Sequence, residues 1–216
     1  MSMIKDLFDQ FDDTKMSTSS GLLKIPDGSV VFHPTFFSQT QSDYFYENLL
    51  RDIEWKQDQI KYFGTLIDLP RLTAWYGDPG VSYTYSGIHV KSIPWTALLL
   101  KIKKSIESFS GNVFNSVLLN LYRNGRDGVA WHSDDEPELG VNPTIGSVSF
   151  GATRQFQLKH KERPQHRVKL NLTHGSYLLM SGVTQHKWVH QIPKTSRACK
   201  SRINLTFRMV HPHHDL

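Results

Sequence analysis

The chain of 216 residues is long enough for one domain with a substantial buried core, and it is marginal for two. Its composition, 38% hydrophobic and 21% charged, is that of an ordinary globular protein, and no stretch approaches the roughly 18 to 20 apolar residues of a membrane span. The formal net charge of +5 permits a polyanionic partner without requiring one.

Two features of the sequence indicate the cellular compartment of the protein. The acidic N-terminus lacks the basic-then-apolar order of a secretion signal. The single cysteine, Cys199, excludes an intrachain disulfide and fits a reducing environment. We therefore expect an intracellular protein, cytoplasmic if bacterial and nuclear if eukaryotic.

The sequence up to Gly111 predicts a polar N-terminal segment followed by two helices. Residues 1–20 are polar and without periodicity, so we expect them to be poorly ordered, with a single domain over 21–216. In the segment SQTQSDYFYENLLRDIEW, helical spacing relates Phe45, Leu49 and Ile53. A second helix is predicted after Pro94 and ending near Gly111, with the same spacing at Leu98, Ile102, Ile106 and Phe109. Both helices should pack on a sheet.

From Asn115 onward the pattern changes to short strands separated by turn residues. The predicted strands are VLLNLYR, TIGSVSF, RQFQLKH, HRVKLNL, SYLLM and RINLTFRMV. Because strands and helices do not alternate, a doubly wound parallel sheet is disfavoured. The pattern favours a mainly β fold, an antiparallel sandwich or jelly roll with helices covering one side.

Two of these strands carry an unusual polar face. In RINLTFRMV the two-residue period places Arg202, Asn204, Thr206 and Arg208 on one side. In VLLNLYR, Asn120 and Tyr122 share a face. Solvent exposure is one interpretation, as on any half-buried antiparallel sheet. The other is a site for a small dianion, because arginine pairs bidentately with carboxylates.

Two dense basic clusters, Lys159–Lys169 and Pro193–Arg202, lie in the C-terminal half. Each is interpretable either as a solvated hairpin tip or as a contact with a polyanion such as a nucleic-acid backbone.

His132 and Asp134 stand two residues apart, so on an extended segment both side chains point the same way and can reach one ion. A distant histidine would complete the facial triad typical of non-haem Fe(II). His186 and His190, just before the arginine-rich strand, are better placed than the other downstream histidines, but spacing alone does not choose between them.

These motifs together carry a resemblance. The run NLYRNGRDGVAWHSDDEPELG, then SVSFGATRQF, HGSYLLMSGVTQHKWVHQIP and RINLTFR, resembles the AlkB family of Fe(II)- and 2-oxoglutarate-dependent dioxygenases over roughly Pro70–Val210. The resemblance implies a double-stranded β-helix (jelly-roll) core over about 115–210 and a substrate-recognition part over about 60–90. It also implies direct-reversal DNA repair, in which 1-methyladenine- and 3-methylcytosine-type bases are oxidatively demethylated with O₂ as a further co-substrate, releasing formaldehyde, succinate and CO₂.

Carried over position by position, the resemblance assigns roles to the residues already singled out. The implied iron ligands are His132, Asp134 and His190. The implied 2-oxoglutarate-binding residues are Asn120, Tyr122, Arg202, Asn204, Thr206 and Arg208.

The resemblance also implies a substrate side. The implied base pocket comprises Tyr83, Thr84, Tyr85 and Ser86, with Asp135 and Glu136 facing a flipped, cationic base. Phe63 and Gly64 occupy the place of a hairpin finger in the duplex-repair branch, whereas other segments are closer to the branch that prefers single strands and RNA. Arg71 is expected to contact phosphate.

We expect a monomer acting on alkylated single- or double-stranded DNA, with RNA left open. One alternative is a related dioxygenase acting on RNA or protein. Another is a nucleic-acid-binding jelly roll without catalysis, which is disfavoured because no implied metal or 2-oxoglutarate position is substituted.

Overall fold

The structure, a computed structural model, describes residues 16–17, 20–62, 64–85 and 88–211. Most of the N-terminal segment expected to be poorly ordered lies outside these ranges, as do Phe63 and Ser86. Met16 and Ser17 form a short strand, and for Tyr83, Thr84 and Tyr85 the structure describes the backbone.

Both predicted helices are confirmed, as α1 (Gln39–Asp52) and α2 (Ala97–Ser110), and a short third helix, α3, spans Thr184–Lys187. A capping box begins α1: the Ser38 hydroxyl accepts the Gln41 N–H at 3.3 Å, and the Gln41 side chain accepts the Ser38 N–H at 3.1 Å. The last turn of α2 differs from the expected buried stripe. Phe109 is 54% exposed, because it lies at the edge of the fold against the rings of His33 and Phe36.

The strands are short and follow one another closely. In chain order they are β1 (Met16–Ser17), β2 (Gly21–Leu23), β3 (Ser29–His33), β4 (Gln59–Tyr62), β5 (Thr65–Asp68), β6 (Leu72–Gly77), β7 (Ser82–Tyr85), β8 (Ile88–Lys91), β9 (Ile93–Pro94), β10 (Ser116–Tyr122), β11 (Val129–His132), β12 (Ile145–Gly151), β13 (Arg154–His160), β14 (Arg167–Leu172), β15 (Ser176–Ser181), β16 (Trp188–Ile192) and β17 (Arg202–Arg208). All six strands predicted from the sequence are confirmed.

Two large sheets and two hairpins result. The larger sheet has the strand order β2-β3-β15-β12-β17-β10-β6-β9, and the five-stranded sheet has the order β1-β14-β13-β16-β11. The hairpins are β4-β5 and β7-β8. Pairing is mainly antiparallel, so the mainly β class and the jelly-roll type of sandwich are confirmed.

The apolar core has two layers. Ile203, Leu205 and Phe207 of β17 belong to one layer, together with the buried residues of α1 and α2. The second layer joins residues of both sheets, including Leu118 of β10 and Phe156 of β13. Because helices cover one face of the larger sheet and the smaller sheet covers the other, every residue of β10 and β17 is buried. The solvent-exposed interpretation of their polar faces is therefore wrong.

None of the helices in the described part of the chain has the length and apolar character needed to cross a membrane.

Candidate metal centre and its cavity

Two adjacent strands of the smaller sheet bring three potential metal ligands together. His132 ends β11, and its register partner on β16 is His190. Their ring centroids are 4.2 Å apart, and Asp134 follows two residues after His132. The ligand atoms of His132, Asp134 and His190 all lie within 4.8 Å of one another, which is close enough to hold one ion. His186, the other well-placed histidine, is not part of this cluster. Its Nε2 atom accepts the Asn142 N–H at 3.4 Å.

Both histidines are prepared to offer a lone pair. The His132 Nδ1 atom lies 2.8 Å from the Ala130 carbonyl oxygen. A carbonyl oxygen can only accept, so Nδ1 carries the proton and Nε2 is left as the ligand atom. Burial, reinforced by His132, lowers the pKa of His190 to about 3 despite the opposing charge of Asp134. His190 is therefore neutral near pH 7.

Asp134 is held as a carboxylate in a buried position, with 2% of the residue exposed. Burial alone would raise its pKa, but the charge of Arg208, followed by the electrostatic interactions with His190 and His132, outweighs burial and lowers the pKa to about 2. The Arg208 Nη2 donates to Asp134 Oδ1 at 2.5 Å, and Asp134 Oδ2 lies 3.8 Å from His190 Nε2. One oxygen is thus fixed by arginine while the other faces the histidine.

The backbone of Asp134 has its own support, which the sequence did not indicate. Its N–H donates to the side-chain oxygen of Gln185 at 3.0 Å, and Gln185 is fully buried. Gln185 lies in the same segment as His190, but its contact with Asp134 spans 51 residues of chain. No spacing rule reveals such a contact.

A partly open cavity of about 470 Å³ of empty space, including its mouth, contains this centre. Polar side chains from β10 and β17 line it at Asn120, Tyr122, Asn204, Thr206 and Arg208, which were all predicted for 2-oxoglutarate. Its apolar wall is formed by Leu118, Val129, Ile145, Phe156, Met180 and Ile192.

Arg202 lies beside this cavity, at the register partner of Tyr122, and is completely buried. Its guanidinium stands 5.1 Å from the centroid of the Tyr122 ring, and Nη2 donates to Ser149 Oγ at 2.9 Å. Its Nε and Nη1 atoms make no hydrogen bond within the described structure. Burial lowers the pKa of Arg202 to about 10, so the group stays charged near pH 7.

Arg71 is found in the cavity wall. The residue is 3% exposed, and its Nε donates to Asn120 Oδ1 at 2.7 Å. It immediately precedes β6, whose first residue Leu72 pairs with Leu121 of β10, so the side chain enters the sandwich. A phosphate contact at the surface does not fit this buried position.

The outward side of the motif is exposed. Asp135 has a side chain 41% exposed, which accepts from Ser133 Oγ at 2.9 Å and from Lys161 Nζ at 3.1 Å. Glu136 is half-buried and precedes a 3₁₀ turn at Pro137–Leu139. Neither acid lines the cavity around the metal cluster.

The hairpin expected from the resemblance is present as β4-β5. Tyr62 pairs with Thr65, and Gly64, between the two strands, adopts φ 83°. Leu66 and Ile67 on β5 are 64% and 45% exposed. The hairpin therefore presents apolar side chains to solvent.

Comparison with known proteins places this site in a family. The model of the 2OG-Fe(II) oxygenase superfamily matches residues 29–208. The bovine "alpha-ketoglutarate-dependent dioxygenase alkB homolog 3" is 46% identical over 193 residues, 83% of this chain and 65% of the relative. The mouse "DNA oxidative demethylase ALKBH2" is 36% identical over 211 residues, 90% of this chain and 88% of the relative.

This chain belongs to the AlkB family. It spans just under two thirds of the bovine relative's length. A solved structure titled "The structure of OsALKBH1" covers 87% of this chain, and this chain covers all of it, with a TM-score of 0.54 and 18% identity. That likeness supports the fold.

AlkB-family membership implies Fe(II), 2-oxoglutarate and O₂, and the residues present fit these groups. Two histidines and one carboxylate are the donor set of non-haem Fe(II) sites. A buried guanidinium with two donors left over matches a carboxylate of 2-oxoglutarate.

Proposed function

We propose that this chain oxidatively demethylates alkylated bases of the 1-methyladenine and 3-methylcytosine type in DNA, with Fe(II), 2-oxoglutarate and O₂. The observation that carries the proposal is the meeting of the His132–Asp134–His190 cluster and the polar faces of β10 and β17 in one cavity. Relatives named as an alkB homolog 3 and as a DNA oxidative demethylase support the choice of nucleic acid.

The protein's part at the metal is to hold and orient it. His132 Nε2, His190 Nε2 and a carboxylate oxygen of Asp134 would ligate the ion, while Arg208 and Gln185 fix the carboxylate and its backbone. When bound, the iron supplies, with O₂ and 2-oxoglutarate, the oxidation of a methyl C–H bond that ends in release of formaldehyde, succinate and CO₂.

The co-substrate side is built from β10 and β17. Arg202 would pair with one carboxylate through its unsatisfied donors, and Arg208 lies on the same face near the metal. Asn120, Tyr122, Asn204 and Thr206 supply further donors and acceptors between the two arginines. Arg71 positions the Asn120 amide from behind. The apolar wall, with Phe156 stacked 5.2 Å from His190, limits water at the centre.

The substrate side uses the mouth of the cavity. A base methylated at its pairing nitrogen is cationic, and Asp135, next to the metal ligand, would favour that charge once the base displaces Lys161, which pairs with it at 3.1 Å. The β4-β5 hairpin would support an extruded base, with Phe63, which lies between the two strands in the sequence, as the wedge. Base-pocket roles for Tyr83, Thr84, Tyr85, Ser86 and Glu136 remain part of this proposal. We further propose an intracellular monomer, nuclear in a eukaryote or cytoplasmic in a bacterium.

The test is turnover of one lesion in several settings. Protein supplied with Fe(II) and 2-oxoglutarate should convert 1-methyladenine or 3-methylcytosine in oligonucleotides to the unmodified base, followed by mass spectrometry of single-stranded DNA, duplex DNA and RNA. Asp134→Ala serves as the matched inactive control. Succinate formation stimulated by methylated peptides but by none of the methylated oligonucleotides would refute nucleic-acid repair.

A further inference from the structure

The five-stranded sheet has an outer side that faces away from the metal centre. On β13 the buried residues Phe156 and Leu158 alternate with the partly exposed Gln155, Gln157 and Lys159. The same alternation on β14 and β16 places further side chains on this side. Together with Trp131 of β11, they form a surface that we call the outer sheet face: Trp131, Gln155, Gln157, Lys159, Arg167, Lys169, Asn171, Val189 and Gln191.

The outer sheet face is positively charged. Three of its nine residues are Lys159, Arg167 and Lys169, and none of the nine is a carboxylate. Lys159 lies opposite Arg167, while Lys169 follows two residues further along β14. The Cβ atoms of these three residues are therefore about 5 to 8 Å apart.

Two acidic residues close in sequence to the strands of this face are paired with lysines. Asp135 accepts from Lys161 at 3.1 Å, and Glu162 accepts from Lys187 at 2.9 Å. Both ion pairs lie beyond the ends of the strands, so they do not offset the three cations of the face.

The remaining side chains offer an aromatic ring and amides. Trp131 is 37% exposed, and the Lys159 ammonium stands 4.6 Å from its ring centroid. Gln191 donates to Gln157 at 2.7 Å, and Gln157 in turn donates to Gln155. A row of amides thus crosses the sheet from β16 to β13.

We infer that the outer sheet face binds the single-stranded nucleic acid that flanks the target base. Lys159, Arg167 and Lys169 bind backbone phosphates, and an unpaired base stacks on Trp131. Spaced cations with an aromatic platform are the combination used for sequence-tolerant binding of single strands. This inference rests on the proposed function for the identity of the partner.

The outer sheet face and the metal centre lie on opposite sides of the five-stranded sheet and meet at β11, its edge strand. Trp131 directly precedes the ligand His132, and successive side chains of a strand point to opposite sides. A strand whose target base lies at the metal can therefore continue over Trp131 onto the cations of β13 and β14. Nucleotides beyond the lesion would then add to affinity for long substrates.

The test compares two variants with the same change in net charge. The face variant is K159Q/R167Q/K169Q, and the control K24Q/K101Q/K104Q removes three exposed lysines from α2 and the segment after β2. Binding of an unmethylated single-stranded oligonucleotide of about 15 nucleotides is measured by fluorescence anisotropy. Salt is varied from about 50 to 200 mM, without iron.

The face variant should bind about tenfold more weakly at the lowest salt, and its slope of log affinity against log salt should fall by about 2. The control should follow the wild type. Equal weakening of both variants, or wild-type binding by the face variant, would overturn the inference. Trp131→Leu should also abolish the quenching of tryptophan emission on binding, and unchanged quenching would remove the stacking role.

A measurement of enzymatic activity distinguishes a failure of this inference from a failure of the proposed function. The ratio of kcat/KM for a long methylated substrate to that for a methylated trinucleotide should fall about tenfold in the face variant. If the wild type binds long single strands through the face yet demethylates none, the proposed function fails and the surface stands. If the wild type demethylates its substrates and the ratio is unchanged in the face variant, the inference about the outer sheet face is refuted and the proposed function stands.

Discussion

Arg202 combines complete burial with donors that nothing in the described structure accepts from, namely Nε and Nη1. A buried charged group without its hydrogen bonds is costly, and a carboxylate of 2-oxoglutarate would supply the missing acceptors. Replacement of Arg202 by methionine should weaken 2-oxoglutarate binding about tenfold to a hundredfold. Calorimetry with Mn(II) in place of iron measures this directly.

Arg202→Lys is the matched variant, because it keeps the charge and loses the fork. It should bind 2-oxoglutarate with an affinity between those of the wild type and Arg202→Met. Unchanged 2-oxoglutarate binding in a folded Arg202→Met variant would refute this role for Arg202.

Gln185 acts on the metal through Asp134. Its side-chain oxygen accepts the Asp134 N–H, so Gln185→Leu leaves that buried N–H unpaired and loosens the ligand. Mn(II) affinity should fall about 10- to 100-fold. Gln39→Leu, the same change on an exposed turn of α1, is the control. A normal Mn(II) affinity in Gln185→Leu would exclude a positioning role.

The sequence indicated the residues that cluster around the candidate metal centre and line its cavity better than the residues that support them. His132 and Asp134 follow from two-residue spacing, and the choice of His190 came from the resemblance. Gln185 and the buried contact between Arg71 and Asn120 are tertiary, so no local pattern contains them.

The connection between β10 and β11 sets the position of His132, and an ion pair organises it. Asp127 is 5% exposed and accepts from the backbone N–H of Arg123 at 2.9 Å and from its Nε at 2.7 Å. Burial pushes the pKa of Asp127 upward, but the hydrogen bonds and charge of Arg123 lower it overall.

Because the pKa of Asp127 is lower in the folded state, its contribution to stability is present above about pH 4 and is lost as the pH falls through the folded-state value. Asp127→Asn should therefore lower the free energy of unfolding by about 2 kcal/mol near pH 7. The difference from wild type should shrink below about pH 4. Urea unfolding at several pH values measures both.

Asp52→Asn is the control for this prediction, since Asp52 pairs with Arg51 on an exposed surface, where ion pairs contribute little. A difference between wild type and Asp127→Asn that stays constant down to pH 3 would show that the carboxylate charge plays no part.

The β4-β5 hairpin is the element that would distinguish duplex from single-stranded substrates. An apolar side chain at its turn can wedge into the gap left by an extruded base, and extrusion is costlier in a duplex. Phe63→Ala should reduce kcat/KM for duplex substrate by at least about tenfold more than for single strands. Val113→Ala, at an exposed apolar residue after α2, serves as the control. Equal losses on both substrates would remove the wedge role.

Elements with strong periodicity were predictable: both long helices and six strands follow from spacing and turn residues. The strands β11 and β16 were not predicted. β11 carries exposed residues at Ala130 and Trp131 and an irregular register, which break the simple alternation of a strand. The exposure of Phe109 reflects where α2 meets the edge of the sheet, a tertiary fact beyond helical spacing.

In the whole molecule, both faces of the larger sheet are covered, so the polar residues of β10 and β17 are buried and not exposed to solvent. α1 and α2 cover the apolar side of β17, and the smaller sheet covers the polar side, so Asn204, Thr206 and Arg208 become part of the wall of a cavity. Alternation in the sequence predicted the two faces. It could not predict which of them would be covered, because that depends on a sheet formed by other parts of the chain.

The acidic run that follows Trp131 is also divided at this scale. His132 and Asp134 turn inward to the metal centre, whereas Ser133 and Asp135 turn outward, where Lys161 pairs with Asp135. One short segment thereby joins the ion to the surface on which we place the nucleic acid.

The most direct measurement is the stoichiometry of products from one methylated oligonucleotide. Wild-type protein with Fe(II), 2-oxoglutarate and O₂ should form one succinate and one formaldehyde for each base repaired, and Asp134→Ala, folded and of similar Tm, should form none. Repair that continues in Asp134→Ala, or succinate formed by the wild type without any base repaired, would contradict the account.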